Sequence, residues 1–287
     1  MSKAQQRRYF NSAGEHQRAI LGILQAIGRS RGLDRVWSDW IEVSAIALAK
    51  LDLRQADARE DRYRQIMGHY EKDEAQQLAQ AFAHLVMAFE ESQAVGEFGD
   101  LLGSTFMMLD MGSSQNGQFF TPYDVSRMMG MMLMGEGQEL VKKIGERGFV
   151  RLLEPACGAG GMVIAAAQSL HQAGVPYQQS MHAVAIDIDR RCAHMTFLQL
   201  ALLHIPAQVI HGNALSGQAW EHWYTPAHIM GGWGARLRQR EEDDGAAAKL
   251  LISEAADGSQ PTIEPKAHSF MPHAARAAAA AGQMTLF

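Results

Sequence analysis

The densest run of chemically useful residues is Glu154-Pro-Ala-Cys-Gly-Ala-Gly-Gly161. It follows a short apolar stretch, Val150 to Leu153, and precedes a helical pattern, Met162 to Leu170. A strand that must turn sharply into a helix uses glycine for positive backbone angles. The missing side chains at Gly158 and Gly160 let a ligand approach the main chain, and the helix start offers free N–H groups. The spacing is not the G-x-G-x-x-G dinucleotide pattern, which lowers a nicotinamide-cofactor reading. Asp187 ends the next apolar run, Ala183 to Ile186, where a carboxylate can accept from both hydroxyls of a ribose. Asp189 is a helix-cap candidate. Gly212-Asn213-Ala-Leu215 follows a third run, Gln208 to Ile210, and the Asn213 amide could read the edge of an adenine ring. Each of the three reads singly as an ordinary turn. Together, at successive strand ends, they read as a ligand site, because parallel sheets bind at the carboxyl ends of their strands.

Two further groups are weighed on the same terms. Trp220, Trp223, Tyr224 and Trp233, with Arg236 and Arg238, could stack and neutralise an unpaired base, or could simply cover a sheet edge. His222 and His228 flank that cluster, but no carboxylate or cysteine completes a metal set at recognisable spacing, so no metal is expected. Cys157 sits at a helix start, which would lower its pKa.

These residues need elements to hold them. Strands alternating with helices from Val150 onward predict an α/β, parallel, doubly wound sheet. His228 to Met230, running into Gly231-Gly232, is the expected fourth strand. The block before it reads as helical: Leu78, Phe82, Leu85 and Phe89 share one helix face, as do Trp37, Trp40, Ile41, Ser44 and Leu48. No proline occurs before Pro122, and Ser113 to Gly117 reads as a loop. After Arg236 a charge run and Ala-rich segments predict a mostly disordered tail with a helical fragment. The expected organisation is therefore a helical domain over 1–112, a ligand-binding domain over 113–236 and a tail over 237–287.

The 287 residues are 47% hydrophobic and 20% charged, enough apolar mass for a sizeable core. The net charge of -5 argues against a molecule that is basic overall. Lys3, Arg7, Arg8, Arg18, Arg29, Arg31 and Arg35 nevertheless outnumber Glu15 and Asp34 in the first 35 residues, a basic arm for phosphate or a solvated helix face. Two cysteines fit a reducing compartment, and neither a signal peptide nor a membrane span is legible, so a cytoplasmic protein is expected.

Glu154 to Gly161 resembles the S-adenosylmethionine loop of the N6-adenine DNA methyltransferases, especially the type I restriction-modification methylation subunit. Gly117-Gln-Phe-Phe-Thr-Pro122 is similar to that family's G-x-F-[YF]-T-P segment, and Phe98-Gly-Asp-Leu-Leu-Gly103 with the helices before it also resembles the group. The resemblance runs from about residue 35 to about 235. It implies a Rossmann-like methyltransferase sheet, truncated here, behind a helical domain, with S-adenosylmethionine as cofactor and DNA adenine as acceptor. It places Phe119, Thr121, Pro122, Glu154, Ala156, Gly158, Gly160 and Ile188 around the cofactor, with Asp187 at the ribose and Asn213 and Leu215 at the adenine. It also admits a specificity or partner subunit, and it explains Cys157 better as a small packing residue than as a nucleophile.

One departure is plain. The family's N-P-P-[FY], which accepts hydrogen bonds from the target amine and stacks the flipped base, occurs nowhere in the chain. An exocyclic amine has a delocalised lone pair, and those acceptors orient it for attack. Tyr224, Trp233 and Arg236 are the candidate replacements on the base side. Three readings follow: an adenine-N6 DNA methyltransferase, a non-catalytic cofactor- or DNA-binding module of the same descent, or a methyltransferase with another acceptor. Separately, Gln283-Met-Thr-Leu-Phe287 resembles the peptide that docks bacterial replication proteins on the sliding clamp, through Gln283, Leu286 and Phe287; it reads equally as an apolar end packing on the domain.

Overall fold

A computed structural model of the chain describes residues 13–109, 120–134, 137–257 and 284–285. Helices α1 (Glu15–Arg31), α2 (Leu33–Leu48), α3 (Ala56–Met67), α4 (Lys72–Ala94) and α5 (Leu101–Met108) build the first half. Their apolar spacing sets their packing. Leu78, Leu85 and Phe89 of α4 are buried, as are Trp37, Trp40, Ile41 and Ser44 of α2. A reciprocal cap at Glu71 and Glu74 starts α4. The Arg31–Glu74 pair ties α1 to α4, with Nη2 to Oε2 at 2.5 Å. Two of the basic residues noted in the N-terminal arm thus pair with acids of the chain itself, since the exposed Arg35 also pairs with Asp39 four residues on.

Next come α6 (Tyr123–Met134), α7 (Gly137–Arg147), β1 (Val150–Glu154), α8 (Gly161–Gln172), α9 (Tyr177–Ser180), β2 (Met181–Asp187), α10 (Arg190–Leu202), β3 (Ala207–Asn213), β4 (Gln218–Tyr224), α11 (Pro226–Met230), α12 (Trp233–Asp257) and β5 (Met284–Thr285). The sheet order is β4-β3-β2-β1-β5. β1, β2 and β3 pair in parallel, with Leu152 opposite Ala183 and Ala183 opposite Ala207. The crossovers through α8 and α10 step the same way along the sheet, so both helices cover one face. α10 also packs on α2, which seats the helical block against the sheet. One continuous apolar core runs from Ile20 and Trp37 to Phe197 and Val209.

The Rossmann-like sheet behind a helical block is as expected, but two details differ. The fourth strand is not His228 to Met230. It is Gln218–Tyr224, which folds back antiparallel on β3 and makes the sheet mixed. The apolar run at His228 instead lies in α11, because Pro226 occupies its first turn and Thr225 Oγ1 accepts from the His228 N–H at 3.3 Å. That start signal outweighs a three-residue apolar run. The helix after Gly232 also runs through the expected boundary at residue 236 to Asp257. Its charge run is a helix face, with Arg240 paired to Asp244 four residues on. No helix among the described residues is long and apolar enough to cross a membrane.

Candidate cofactor cleft

The parallel strands bring three tips to one end of the sheet. Glu154 closes β1, Asp187 closes β2 and Asn213 closes β3. The loop after β1 is fixed by its neighbours. Cys157 N–H donates to the Ile186 carbonyl at 2.9 Å, and Gly158 N–H donates to Asp187 Oδ2 at 2.8 Å. Gly158 and Gly160 have φ of 55° and 94°, values that side chains disfavour. Thr196 of α10 donates to the Gly158 carbonyl at 2.9 Å. The loop is thus held on both sides by elements the sequence places 30 to 40 residues away.

The carboxylates are poised by burial. Glu154 is 1% exposed; its Oε1 accepts from Ala156 N–H at 3.2 Å, while Oε2 has no partner among the described residues. Burial pushes its pKa up to about 7, and the nearby Asp187 charge adds to that. Asp187 is raised by burial against the pull of three backbone donors, Asp189, Gly158 and Ile188, with Oδ1 taking Asp189 N–H at 2.9 Å. Asp189 caps α10 through Arg191 N–H at 2.8 Å. Asn213 Oδ1 is used by its own turn, accepting from the Leu215 and Ser216 N–H groups at 3.0 and 3.2 Å. Its NH2 is therefore the end that can meet a ligand. Ile188 and Leu215 project from the tips at 63% and 84% exposure, two apolar faces of the kind a flat ring can slide between.

The segment before α6 borders the same loop. Phe120 leans on Gly158, where an added Cβ would lie 3.0 Å from its ring, and it packs on Phe106 at 5.3 Å. Thr121 and Pro122 follow, both exposed, and Tyr123 Oη donates to Gln168 Oε1 at 2.6 Å to lock α6 on α8. Phe119 lies outside the described residues, as do Gln283, Leu286 and Phe287.

Cys157 corrects one expectation. Its thiol is buried and its pKa is raised well above the ordinary value by burial and by the Asp187 charge. α8 starts only at Gly161, so the helix start does not lower it.

The residues expected on the base side do not join this cleft. Trp233 is fully buried against Phe149 and His182, with Arg236 stacked 3.7 Å over its ring. Tyr224 pairs with Gln208 and stacks on His228 at 4.9 Å. Phe149 precedes β1, and His182 and Gln208 are the second residues of β2 and β3, so all three candidates stand at the opposite end of the strands from the cleft. The antiparallel return of β4 puts them there. Trp220 is the half-exposed aromatic on the cleft side, 4.8 Å from His211. Sequence spacing also gave no hint of Thr196 or Gln199, which sit in a helix remote from the loop and reach it only through packing; Asp100 lies in the Phe98–Gly103 segment whose family resemblance assigned it no role.

The orphaned Glu154 oxygen, the side-chain-free turn at Gly158 and the apolar pair Ile188 and Leu215 fit a nucleoside with a cationic extension. The family comparison agrees with that chemistry. A comparison with curated proteins gives no match. Among solved structures, a Listeria monocytogenes protein described as a class I S-adenosylmethionine-dependent methyltransferase aligns at 16% identity and a TM-score of 0.41. The alignment covers 73% of this chain and 57% of that one. Residues 97–232, from just ahead of α5 to just past α11, match the N-6 DNA methylase family, and the match implies S-adenosylmethionine as the methyl donor.

Proposed function

We propose that the protein binds S-adenosylmethionine across the tips of β1, β2 and β3 and acts as an adenine-N6 DNA methyltransferase, or a reduced relative of one. The observation that carries the reading is the shared tip geometry: Glu154 holds the Ala156 N–H and Asp187 holds the Gly158 N–H of the same turn, at one end of a parallel sheet whose next strand ends in Asn213. Asp187 would hold the ribose hydroxyls, Ile188 and Leu215 the adenine faces, and the Asn213 NH2 a ring nitrogen. Glu154, Ala156, Gly158, Gly160, Phe119, Thr121 and Pro122 would surround the methionine end. The bound donor supplies an electrophilic methyl group on sulfonium sulfur. The chain's own part is to orient that group and exclude water from it.

A second reading is favoured by a specific observation. No N-P-P-[FY] occurs in the chain, and Tyr224, Trp233 and Arg236 face away from the cleft. A cofactor- or DNA-binding module without turnover, or a subunit whose partner supplies the acceptor side, accounts for both facts.

Calorimetry with S-adenosylmethionine, paired with radiolabelled methyl transfer to duplex and single-stranded DNA, separates the readings. Binding with transfer supports the enzyme. Binding without transfer supports the module. No binding, in a protein that melts cooperatively, ends both. Gly158→Asp is the control, expected to abolish binding. Sliding-clamp docking through Gln283, Leu286 and Phe287 belongs to the same proposal. Met284–Thr285 pairs with Leu152–Leu153 of β1, so docking competes with that pairing. Deleting 283–287 should abolish clamp association, and unchanged association rejects the idea.

A further inference from the structure

Asp100 is a buried carboxylate with a job for only one of its oxygens. Oδ1 accepts from Gly103 N–H at 2.8 Å, which caps α5, and from Gln199 Nε2 at 2.7 Å. Gln199 Nε2 also reaches the Ala159 carbonyl at 2.6 Å, and its Oε1 takes Leu102 N–H at 3.0 Å. This network joins the helical block to the glycine loop. Oδ2 has no partner among the described residues. A cap needs one oxygen, and a serine or asparagine would supply it without burying a charge.

The surroundings of Oδ2 are shaped for something small. A Cβ at Gly103 would strike it at 2.1 Å, so only glycine leaves it room. A Cβ at Gly161 would lie 3.5 Å from it and 3.6 Å from Ser126 Oγ. Ser126 is 1% exposed and its Oγ is also without a partner. Asp100 lines a cleft with Gly103, Met107, Thr121, Pro122 and Tyr123. Burial raises its pKa, and only the Gln199 amide and the Gly103 N–H work against that; no cation does. A carboxylate and a buried hydroxyl, both with spare acceptor capacity, flank Gly161 beside this cleft, and among the described residues no cation offsets Asp100.

We propose that Asp100 Oδ2 and Ser126 Oγ together accept hydrogen bonds from the α-ammonium group of the donor. This rests on the S-adenosylmethionine reading of the cleft. It adds a recognition site drawn from the helical block, separate from Glu154, whose charged neighbour is Asp187.

The test uses calorimetry on the full chain with three probes: S-adenosylhomocysteine, its analogue with the α-amino group replaced by hydrogen, and 5′-methylthioadenosine. The wild type should bind S-adenosylhomocysteine about tenfold or more tighter than the deamino analogue, the size of a charge-assisted hydrogen bond. Asp100→Asn should collapse that gap to within about threefold and leave methylthioadenosine affinity unchanged, as a coupling cycle requires. Ser126→Ala should narrow the gap while leaving the deamino analogue's affinity alone, and it serves if the Asn variant does not fold. An equal affinity of the wild type for the first two probes overturns the proposal, as does a gap that survives both substitutions. If no probe binds the wild type, the cofactor reading falls and takes the proposal with it; if methylthioadenosine binds and the gap is absent, only the ammonium site falls.

Discussion

Glu154 carries a cost in stability that can be read from its burial. Its ordinary carboxyl pKa is 4.5, and burial lifts it to about 7 in the folded state. The folded protein therefore holds that proton more tightly than the unfolded chain does. The sign follows: stability is greatest at the acidic end, falls as pH rises from about 4.5 to about 7, and is level above. Glu154→Gln removes this slope and should stabilise the ligand-free protein by on the order of 1–3 kcal/mol at pH 8, with little effect at pH 4.5. Urea unfolding at the two pH values checks it. The same substitution should weaken S-adenosylmethionine binding, so stability and binding move in opposite directions. At Gly158 they move together. Gly158→Ala forces a side chain into a backbone with φ 55° and against the Phe120 ring, and should lower both the melting temperature and the affinity for S-adenosylmethionine, by at least tenfold for the latter, as read by calorimetry.

At the scale of elements, the return of β4 along β3 decides where everything after Asn213 goes. Thr225 is its anchor. This fully buried hydroxyl donates to the Ile205 carbonyl at 2.8 Å, accepts from Ala207 N–H at 2.9 Å, and caps α11 at His228. Thr225→Val keeps the shape and strands three backbone partners. It should cost about 1–3 kcal/mol in denaturant unfolding, and a cost under a few tenths would show that α11 holds its place without the cap. The sequence signal for β4 was poor, because Gln218, Ala219 and Trp220 are exposed and break the alternation that marks a half-buried strand. The signal for α11 is present in Thr225-Pro226, and it prevails over the apolar run at His228 that reads as a strand. The helices α2 and α4 were legible because their burial repeats at the helical period, and β1, β2 and β3 because each is a short apolar run that ends in a turn.

At the scale of the whole molecule, the helical block and the sheet share one core. α2 packs on α10, Gln17 of α1 reaches Ser104 and Thr105 of α5 at 2.9 Å, and Gln199 ties α5 to the glycine loop. Such a core has no internal boundary at which to come apart. Far-ultraviolet circular dichroism and tryptophan fluorescence should therefore report one coincident unfolding transition. Two separated transitions would mean that residues 13–109 and 120–257 fold independently. S-adenosylmethionine should shift the whole transition upward, since it binds only the folded state.

The amino-acid order alone specified the glycine turn after β1, the acid at the tip of β2 and the asparagine at the tip of β3. Each is a local demand of a chain leaving a strand, and local demands are written in neighbouring residues. It also specified the family resemblance, which residues 97–232 match. Only the folded chain decided that Tyr224, Trp233 and Arg236 stand at the far end of the parallel strands, because one strand's direction reverses the position of all that follows it. Only the folded chain brought Asp100, Ser126 and Gln199 to the cofactor loop, because packing between helices far apart in sequence leaves no periodic trace.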